Sequence, residues 1–441
     1  MNTKNNAQQR GNARTHRPER TQVEMHFHSL DQLVASDHRV RLVWQYCESL
    51  DLTPLYQRIK ATKDKVGRTP IDPRILFCLW FFATLEGVTS SRRLADLTTR
   101  DFHYMWICGG VSVNYHTLSD FRSAHGDLLD QLLSDSITVL VKAGLMTLES
   151  IGQDGMRVRA SAGSTSYRSQ PALERLQAEA EAYVKELKER SQEQEQDCTK
   201  AQQAARERAA KERLQRIKDA QENLKELEQR REKNKSRKSN SVPRGSTTDP
   251  QATRMKMADG GFRLAYNVQF GSDCQTRVVV SVRVNNQGSD QGQMLPMYKS
   301  ISSTHGVTPK QYLVDGGFTK KSDIDEMETR GTQVFGPLPN AAKQLAEGRD
   351  PYAKKPNDSE AMANFRKRMG TPEAQEVYKQ RCSVAEFPNA ECRNRGLTQF
   401  RVRGLQRVKA QTLWHVLVNN FHRFKNLGFL PHLMGGQSAA A

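Results

Sequence analysis

Two aspartates in this 441-residue chain occupy the same local context. Asp154 and Asp315 each end an apolar run that predicts a strand, and each is followed by glycine. Glycine adopts positive φ at little cost, so the chain is able to turn there and leave the carboxylate projecting from the strand's end. Two such acids on neighbouring strands, with a third from a helix, would hold divalent cations. For Asp154 taken alone, a turn residue capped by Gly155 is the alternative interpretation.

Apolar and basic side chains alternate after Asp154. Met156 and Val158 fall on one face, and Arg157 and Arg159 fall on the other, which is the two-residue period of a strand. This pattern predicts a strand with one apolar face and one basic face. The carboxylate would then lie beside two guanidinium groups.

The third carboxylate is predicted on a late helix. On an ideal helix Glu386 and Arg393 are about 20° apart, and Tyr378 and Arg381 fall within the same half. An acid, two guanidinium groups and a phenol would therefore face one cleft, which suits phosphodiester chemistry at bound metal ions. Pro388 removes a backbone donor and clashes with the preceding turn. The helix is therefore expected to kink there or to restart near Glu386.

The composition indicates a polyanionic partner. The formal net charge is +18 and only 37% of the residues are hydrophobic, which favours nucleic acid over a merely soluble basic chain. Seven cysteines show no CxxC spacing, so neither a zinc site nor a disulfide framework is indicated and a cytoplasmic location fits best. The N-terminal residues lack the apolar region of a signal peptide. The longest apolar run, residues 75–85, is too short to span a membrane.

The helical signals of the N-terminal part favour DNA binding. Short helices predicted within residues 25–146 carry Arg92, Arg93, Arg100 and Arg122, which we expect to be exposed in a helix-turn-helix-like bundle. A plain helical bundle is the alternative interpretation.

Further along, the chain changes from helical to mixed structure. Residues 171–239 carry two amphipathic stripes rich in charge, which predict an antiparallel coiled-coil hairpin. Beyond residue 240 the pattern is hairpin strands, helix, strand, helix, strand and helix. Asp259 is interpreted as a hairpin turn residue, and Asp290 as a helix cap. The order of these elements is that of a ribonuclease-H-like α/β fold.

The predicted organisation therefore has an all-α N-terminal domain followed by an α/β domain with a coiled-coil helical insertion. The predicted parts are a disordered basic arm (1–24), a helical DNA-binding domain (25–146), a ribonuclease-H-like catalytic domain (147–170 and 240–430), the helical hairpin insertion (171–239) and a tail (431–441).

Residues 25–427 resemble the DDE-type transposases of bacterial insertion sequences. The resemblance rests on the order and spacing of several short segments together, since any one of them is weak. These segments are Gln153-Asp154-Gly155, Tyr266-Asn267-Val268-Gln269, Leu313-Val314-Asp315-Gly316-Gly317, the Tyr-Arg-Glu-Arg spacing of Tyr378, Arg381, Glu386 and Arg393, and the repeats Arg395-Gly396-Leu397 and Arg403-Gly404-Leu405.

The resemblance implies a metal triad of Asp154, Asp315 and Glu386, with Glu391 as the reserve acid. Two Mg²⁺ ions roughly 4 Å apart, or Mn²⁺ in their place, would be bridged by these carboxylates. The residues predicted to contact DNA are Tyr378, Arg381, Arg393, Arg395, Lys320, Lys321, Arg157 and Arg159.

The implied activity is binding of the terminal inverted repeats, cleavage of DNA strands, and joining of the 3′ ends to target DNA. The expected partners are the element ends and target DNA in the bacterial nucleoid, with a homodimer on the paired ends and no membrane. Two alternatives stay open from the sequence. One is a ribonuclease-H-like nuclease without strand transfer, and the other is an inactive or domesticated sequence-specific DNA-binding protein.

Overall fold

The N-terminal part of the chain is helical, as its pattern predicts. The computed structural model describes residues 27–61, 69–192, 200–233 and 242–435, so the predicted arm of residues 1–24 lies outside the described residues. Asp72 caps α3 by accepting a hydrogen bond from the Arg74 amide, and Pro73 opens that helix, where its missing N–H costs nothing. The helices before the first strand are α1 (Arg39–Ser49), α2 (Thr53–Tyr56), α3 (Pro73–Leu85), α4 (Ser91–Arg100), α5 (Phe102–Cys108), α6 (Tyr115–Ala124) and α7 (Gly126–Lys142).

Arg122 was expected on the surface, and that prediction is wrong. Only 5% of the residue is exposed. Its guanidinium donates a hydrogen bond to the Thr89 carbonyl at 2.6 Å and lies 4.8 Å from the ring centroid of Trp80. A buried guanidinium needs such partners to offset its desolvation. Arg122 therefore joins the loop before α4 to the core and is not a free contact for DNA.

The second part of the chain is a mixed α/β region built on one large sheet. Its strand order is β4-β5-β1-β7-β8, with β6 also paired to β5. β1 is antiparallel to β5 and parallel to β7, and β7 is parallel to β8. The two aspartate-bearing segments are therefore neighbours. The strands are β1 (Ser150–Arg159), β2 (Tyr167–Ser169), β3 (Arg244–Ser246), β4 (Thr253–Lys256), β5 (Phe262–Asp273), β6 (Val279–Asn285), β7 (Gln311–Leu313) and β8 (Gln333–Phe335).

Two long helices lie between β1 and β5 in the chain. They are α8 (Gln170–Gln192) and α9 (Lys200–Lys233), which pack together through a small cluster of Leu173, Ala220 and Leu224. β2, just before α8, pairs with β3, which follows α9. This pairing holds the two ends of the helical pair next to each other. The sequence pattern predicts the helical pair but gives no sign of this small sheet at its base.

The remaining helices cover the sheet and complete the core. The turn at Asp259 forms as predicted, and its carboxylate accepts a hydrogen bond from the Gly261 amide at 3.0 Å. α16 lies between the sheet and the N-terminal helices, where the Trp414 indole donates to the Arg122 carbonyl at 3.0 Å. Trp414 and Phe421 belong to one hydrophobic cluster that includes residues of α3 and of the sheet. The helices are α10 (Met294–His305), α11 (Lys321–Thr329), α12 (Ala341–Ala346), α13 (Glu360–Met369), α14 (Pro372–Ala385), α15 (Phe387–Asn394), α16 (Leu405–Asn426) and α17 (Leu430–Leu433).

Candidate active site

Asp154 lies in the middle of β1. Its backbone is opposite Phe270 of β5, and the strand continues through Gly155 to Arg159. The expected turn at Gly155 is therefore wrong. A Cβ atom at Gly155 would clash with Nε2 of Gln269, so a larger residue there would force the Gln269 side chain, which crosses over the glycine, to shift. The alternation after Asp154 is correct, since Met156 and Val158 are buried and Arg159 is exposed.

Asp315 occupies the equivalent position beside Asp154. Gly152 of β1 pairs with Leu313 of β7 in parallel register, and each aspartate follows two residues later. The Asp315 carboxylate accepts a hydrogen bond from the Gly316 amide at 2.7 Å. The two aspartates are close enough that the charge of Asp315 raises the pKa of Asp154.

Glu386 lies at the junction of two helices. α14 ends at Ala385, and α15 begins at Phe387 with Pro388 in its first turn. The helix therefore restarts at Glu386, one of the two outcomes expected from Pro388. Because Gly152 has no side chain, Val384 at the end of α14 approaches β1 closely, and a Cβ atom on that glycine would be 3.2 Å from Val384 Cγ1. This contact positions the junction over the strand that carries Asp154.

Arg381 connects two of the predicted acids. One Nη atom lies 3.3 Å from Oδ1 of Asp154, and the other lies 3.7 Å from Oε1 of Glu386. Arg381 is 7% exposed, whereas the Glu386 side chain is 60% exposed. Tyr378 lies one turn earlier on α14 and is half-buried. Burial raises the pKa of its phenol, the Arg381 guanidinium opposes this rise, and the charges of Asp315 and Asp154 add to it. The structure therefore gathers these five side chains into one group, which we call the cleft.

Asn389 is a further member of this cleft that the sequence prediction missed. Its Nδ2 donates a hydrogen bond to Oδ2 of Asp154 at 2.8 Å. The residue is 5% exposed, and its Oδ1 is buried without a hydrogen-bond partner among the described residues. Asn389 follows Glu386 by three residues, so both lie on the same face of the helix. This three-residue spacing could have identified Asn389 from the sequence. However, an asparagine in a first helical turn is usually interpreted as a capping residue.

The environment of Asp154 changes its acidity. Burial raises the pKa of Asp154 to about 6, and the negative charges of Asp290 and Asp315 add to the rise. The Gly155 amide and the Arg381 guanidinium oppose it. Like charges at short range favour proton uptake or cation binding, either of which relieves their repulsion.

Asp290 was predicted to cap a helix, and this prediction is wrong. α10 begins at Met294, four residues later. The Asp290 carboxylate instead accepts hydrogen bonds from the side-chain amides of Asn267 and Gln269, both at 2.8 Å, and pairs with Arg157 at 3.2 Å. A satisfied network of this kind holds its members in fixed positions. It fixes the β5 side chains that lie beside Asp154.

The other predicted basic residues lie outside the cleft's hydrogen-bond network. Lys320 and Lys321 at the start of α11 reach Asp323 at 3.5 Å and Asp358 at 2.9 Å. Arg393 is exposed on α15. Arg395 pairs with the reserve acid Glu391 at 2.8 Å, with both side chains largely buried. Glu391 is therefore held in an ion pair, whereas Glu386 faces the cleft.

No three potential metal-ligating side chains converge as a ready cation site within the described ranges. Asp154 and Glu386 contact one guanidinium, and Asp315 lies alongside. The arrangement is a carboxylate-rich cleft that a single arginine partly neutralises.

Two protein-family models match the chain. Residues 28–124 match a transposase domain, DUF772, which covers most of the N-terminal helices. Residues 346–425 match a transposase DDE domain, which includes Glu386 and Asn389. Asp154 and Asp315 lie outside both matched ranges.

No significant match exists among curated proteins or solved structures. In the part of the chain that the structure describes, no helix is both long and apolar enough to cross a membrane. The two family matches, in the order in which they occur, support an insertion-sequence DDE transposase.

Proposed function

We propose that this transposase binds DNA at the ends of its element, cleaves there, and joins the freed 3′ ends to target DNA. Asp154, Asp315 and Glu386 act as its catalytic acids. The observation that carries the proposal is the cleft in which Asp154 and Glu386 contact the same guanidinium, while Asp154 and Asp315 each lie two residues beyond the paired Gly152 and Leu313. Because two element ends must be joined, the active form is a homodimer on paired ends.

The order of elements supports a ribonuclease-H-like core. The strand carrying Asp154 is central in the sheet. On one side it pairs antiparallel with β5, which in turn pairs antiparallel with β6. On the other side it pairs parallel with β7, which pairs parallel with β8. The third acid comes from a late helix packed on that strand. Acids on these three elements are the arrangement that the resemblance implied.

The donor set of the cleft fits magnesium or manganese. Carboxylate oxygens are hard ligands that these ions prefer, and the unpartnered Oδ1 of Asn389 adds another oxygen. Asp154, Asp315 and Glu386 would hold the cation, which when bound supplies Lewis-acid activation of the phosphodiester and of the attacking hydroxyl.

The protein's own groups position these acids. Asn389 and Arg381 hold the two oxygens of Asp154 from opposite helices, α15 and α14. Because Arg381 also reaches Glu386, it keeps both carboxylates on one side of the cleft. Tyr378 lies at the half-exposed border of this group, where its phenol is able to donate to a phosphate oxygen of DNA.

Strand joining tests the proposal directly. The full-length protein, supplied with Mg²⁺ and DNA from both flanks of its reading frame, is expected to nick at the element ends and to join pre-cut ends bearing a free 3′-hydroxyl to a plasmid. Gel analysis of labelled ends measures both steps. Cleavage without joining would replace the proposal with a nuclease, and binding without any cleavage would replace it with a DNA-binding protein.

Replacing Asn389 with alanine is expected to lower the cleavage rate about 10- to 100-fold, because Asp154 loses the donor that orients it. Asn389→Asp keeps the shape but sets a second carboxylate against Asp154, so it should be at least as impaired. The matched control is Asn394→Ala, at the exposed end of the same helix. Initial rates of nicking measure the effect. Equal rates for the 389 and 394 variants would remove Asn389 from the site.

A further inference from the structure

A second concave surface lies at the edge of the sheet where β1 ends. It is a cavity of about 560 Å³, a size that suits a small ligand or part of a larger one. Four arginines and two aromatic side chains line it, and no carboxylate does so among the described residues. We call this cavity the basic pocket, and its main lining residues are Arg159, Tyr167, Arg244, Arg254, Phe262 and Arg263.

The basic pocket carries a strong excess of positive charge. Among the described residues, the acid Asp259 pairs with one of these arginines, Arg263, at 2.8 Å. Arg159, which is exposed, also acts on Asp259, since its charge helps to lower the pKa of that carboxyl, although Arg263 and the Gly261 amide lower it more. One acid against four guanidinium groups leaves a concave surface that attracts polyanions.

An exposed aromatic ring lies among these charges. Phe262 is 57% exposed, and the guanidinium carbon of Arg254 lies 5.1 Å from its ring centroid. An aromatic ring and a guanidinium plane are both surfaces on which nucleobases stack. A base within a duplex already stacks on its neighbours, so only an unpaired base is free to use such a platform.

The basic pocket and the cleft share β1. Arg159 ends the strand that carries Asp154, five residues later, or about 17 Å along an extended chain. Gln399, which also lines the pocket, bridges to Arg159 and follows α15. Arg244 comes from β3 at the base of the helical insertion. At the duplex spacing of about 3.4 Å per nucleotide, a DNA strand leaving the cleft along β1 would reach the pocket after about five nucleotides, and after fewer if the strand is stretched.

We propose that the basic pocket binds an unpaired segment of DNA next to the cleavage site. Its arginines hold the phosphates, and Phe262 with Arg254 stacks a base. The proposal rests on the function proposed above, because it assumes that DNA occupies the cleft. The basic pocket would thus recognise single-stranded DNA. It is separate from the catalytic acids and from the N-terminal helices.

The test measures binding of short labelled oligonucleotides to the full-length protein over a salt series. Single-stranded DNA, the same sequence as duplex, and the same sequence as RNA are compared. The pocket variants are R159A/R254A and F262A. The control is R330A/R349A, which removes the same charge from two exposed arginines outside the pocket. Thermal unfolding of each variant checks that it is folded.

For R159A/R254A, affinity for single-stranded DNA should fall about tenfold or more, and the slope of log K against log salt should become shallower by about 1.4. F262A should lose about tenfold with an unchanged slope, because stacking releases no counterions. Duplex affinity should change much less than single-strand affinity. The control variant should bind as wild type does.

Several results would overturn the proposal. Equal single-strand affinity for pocket and control variants would do so, as would an equal loss on duplex, or binding of RNA but not DNA. If wild-type protein cleaves and joins DNA while its pocket variants bind like the control, this inference alone fails. If wild-type protein binds no DNA at all, the proposed function fails with it. Photocrosslinking of iodouracil-containing single strands to wild-type protein needs no variant: crosslinks at Phe262 or Tyr167 support the pocket, and crosslinks only elsewhere overturn it.

Discussion

Asparagine in place of Asp154 is expected to abolish strand cleavage and joining while affinity for DNA stays unchanged. The substitution keeps the shape of the side chain and its bond from Asn389, but it removes the charge that a divalent cation requires. The loss of several kcal/mol of transition-state stabilisation corresponds to about 10³-fold or more in rate. Nicking and joining of labelled element ends, with binding measured separately, would show the effect.

The same variant separates loss of metal from loss of structure. Mg²⁺ or Mn²⁺ at 100 times its Kd should stabilise wild-type protein by about 2.7 kcal/mol against unfolding, and Asp154→Asn should lack this response. Asp135→Asn, an exposed position on α7, is the matched control and should respond as wild type does. Unchanged cleavage by Asp154→Asn would remove this residue from the triad.

Alanine in place of Asp358 is expected to give the largest loss of stability, about 3–5 kcal/mol. The Asp358 carboxylate is buried and pairs with Arg366 at 2.6 Å and Lys321 at 2.9 Å. Arg366 is itself 5% exposed, so the variant leaves a buried charge without its partner. Urea unfolding measures the loss. The control is Glu347→Ala, which breaks an exposed ion pair with Arg349 and should cost less than about 1 kcal/mol.

This contribution has a defined pH dependence. Burial alone would raise the pKa of Asp358, but hydrogen bonds from Lys321 and Arg366 outweigh it and lower the pKa to about 2. Because the folded pKa is below the unfolded value near 3.9, the stabilisation is complete above about pH 4 and is lost as the pH falls towards 2. The difference between wild type and Asp358→Ala should therefore shrink over this range. A difference that is constant with pH would contradict the ion-pair explanation.

Periodicity and turn chemistry predicted most of the elements correctly. Asp72 and Pro73 mark the start of α3, and Asp259 forms its hairpin turn, because both signals are local. The turn predicted at Gly155 is wrong because the contact that decides its conformation is not local. Its role depends on Gln269, more than a hundred residues away and crossing over the strand, and local pattern holds no information about such a contact.

The candidate triad stays a prediction, and the residues that support its acids were not foreseen. Asp154, Asp315 and Glu386 stand out because each has a recognisable spacing. Asn389 and Asp290 act through partners on other elements, and each has a common local interpretation that hides this. The burial of Arg122 was missed for the same reason. An arginine on a short helix is predicted to be exposed, and its contacts with the Trp80 ring and the Thr89 carbonyl are visible only in the folded structure.

The position of α16 has a consequence for synthesis of the protein. Residues from its two faces complete a core shared with α3, α6 and α7, yet it follows them in the chain only after the whole sheet. The helices matched by the N-terminal family model therefore cannot finish packing before α16 has been synthesised. A product truncated ahead of Leu405 would lack the helix on which both the N-terminal helices and the sheet pack. Such a shortened product is therefore not expected to contain a folded N-terminal part that competes for the element's ends.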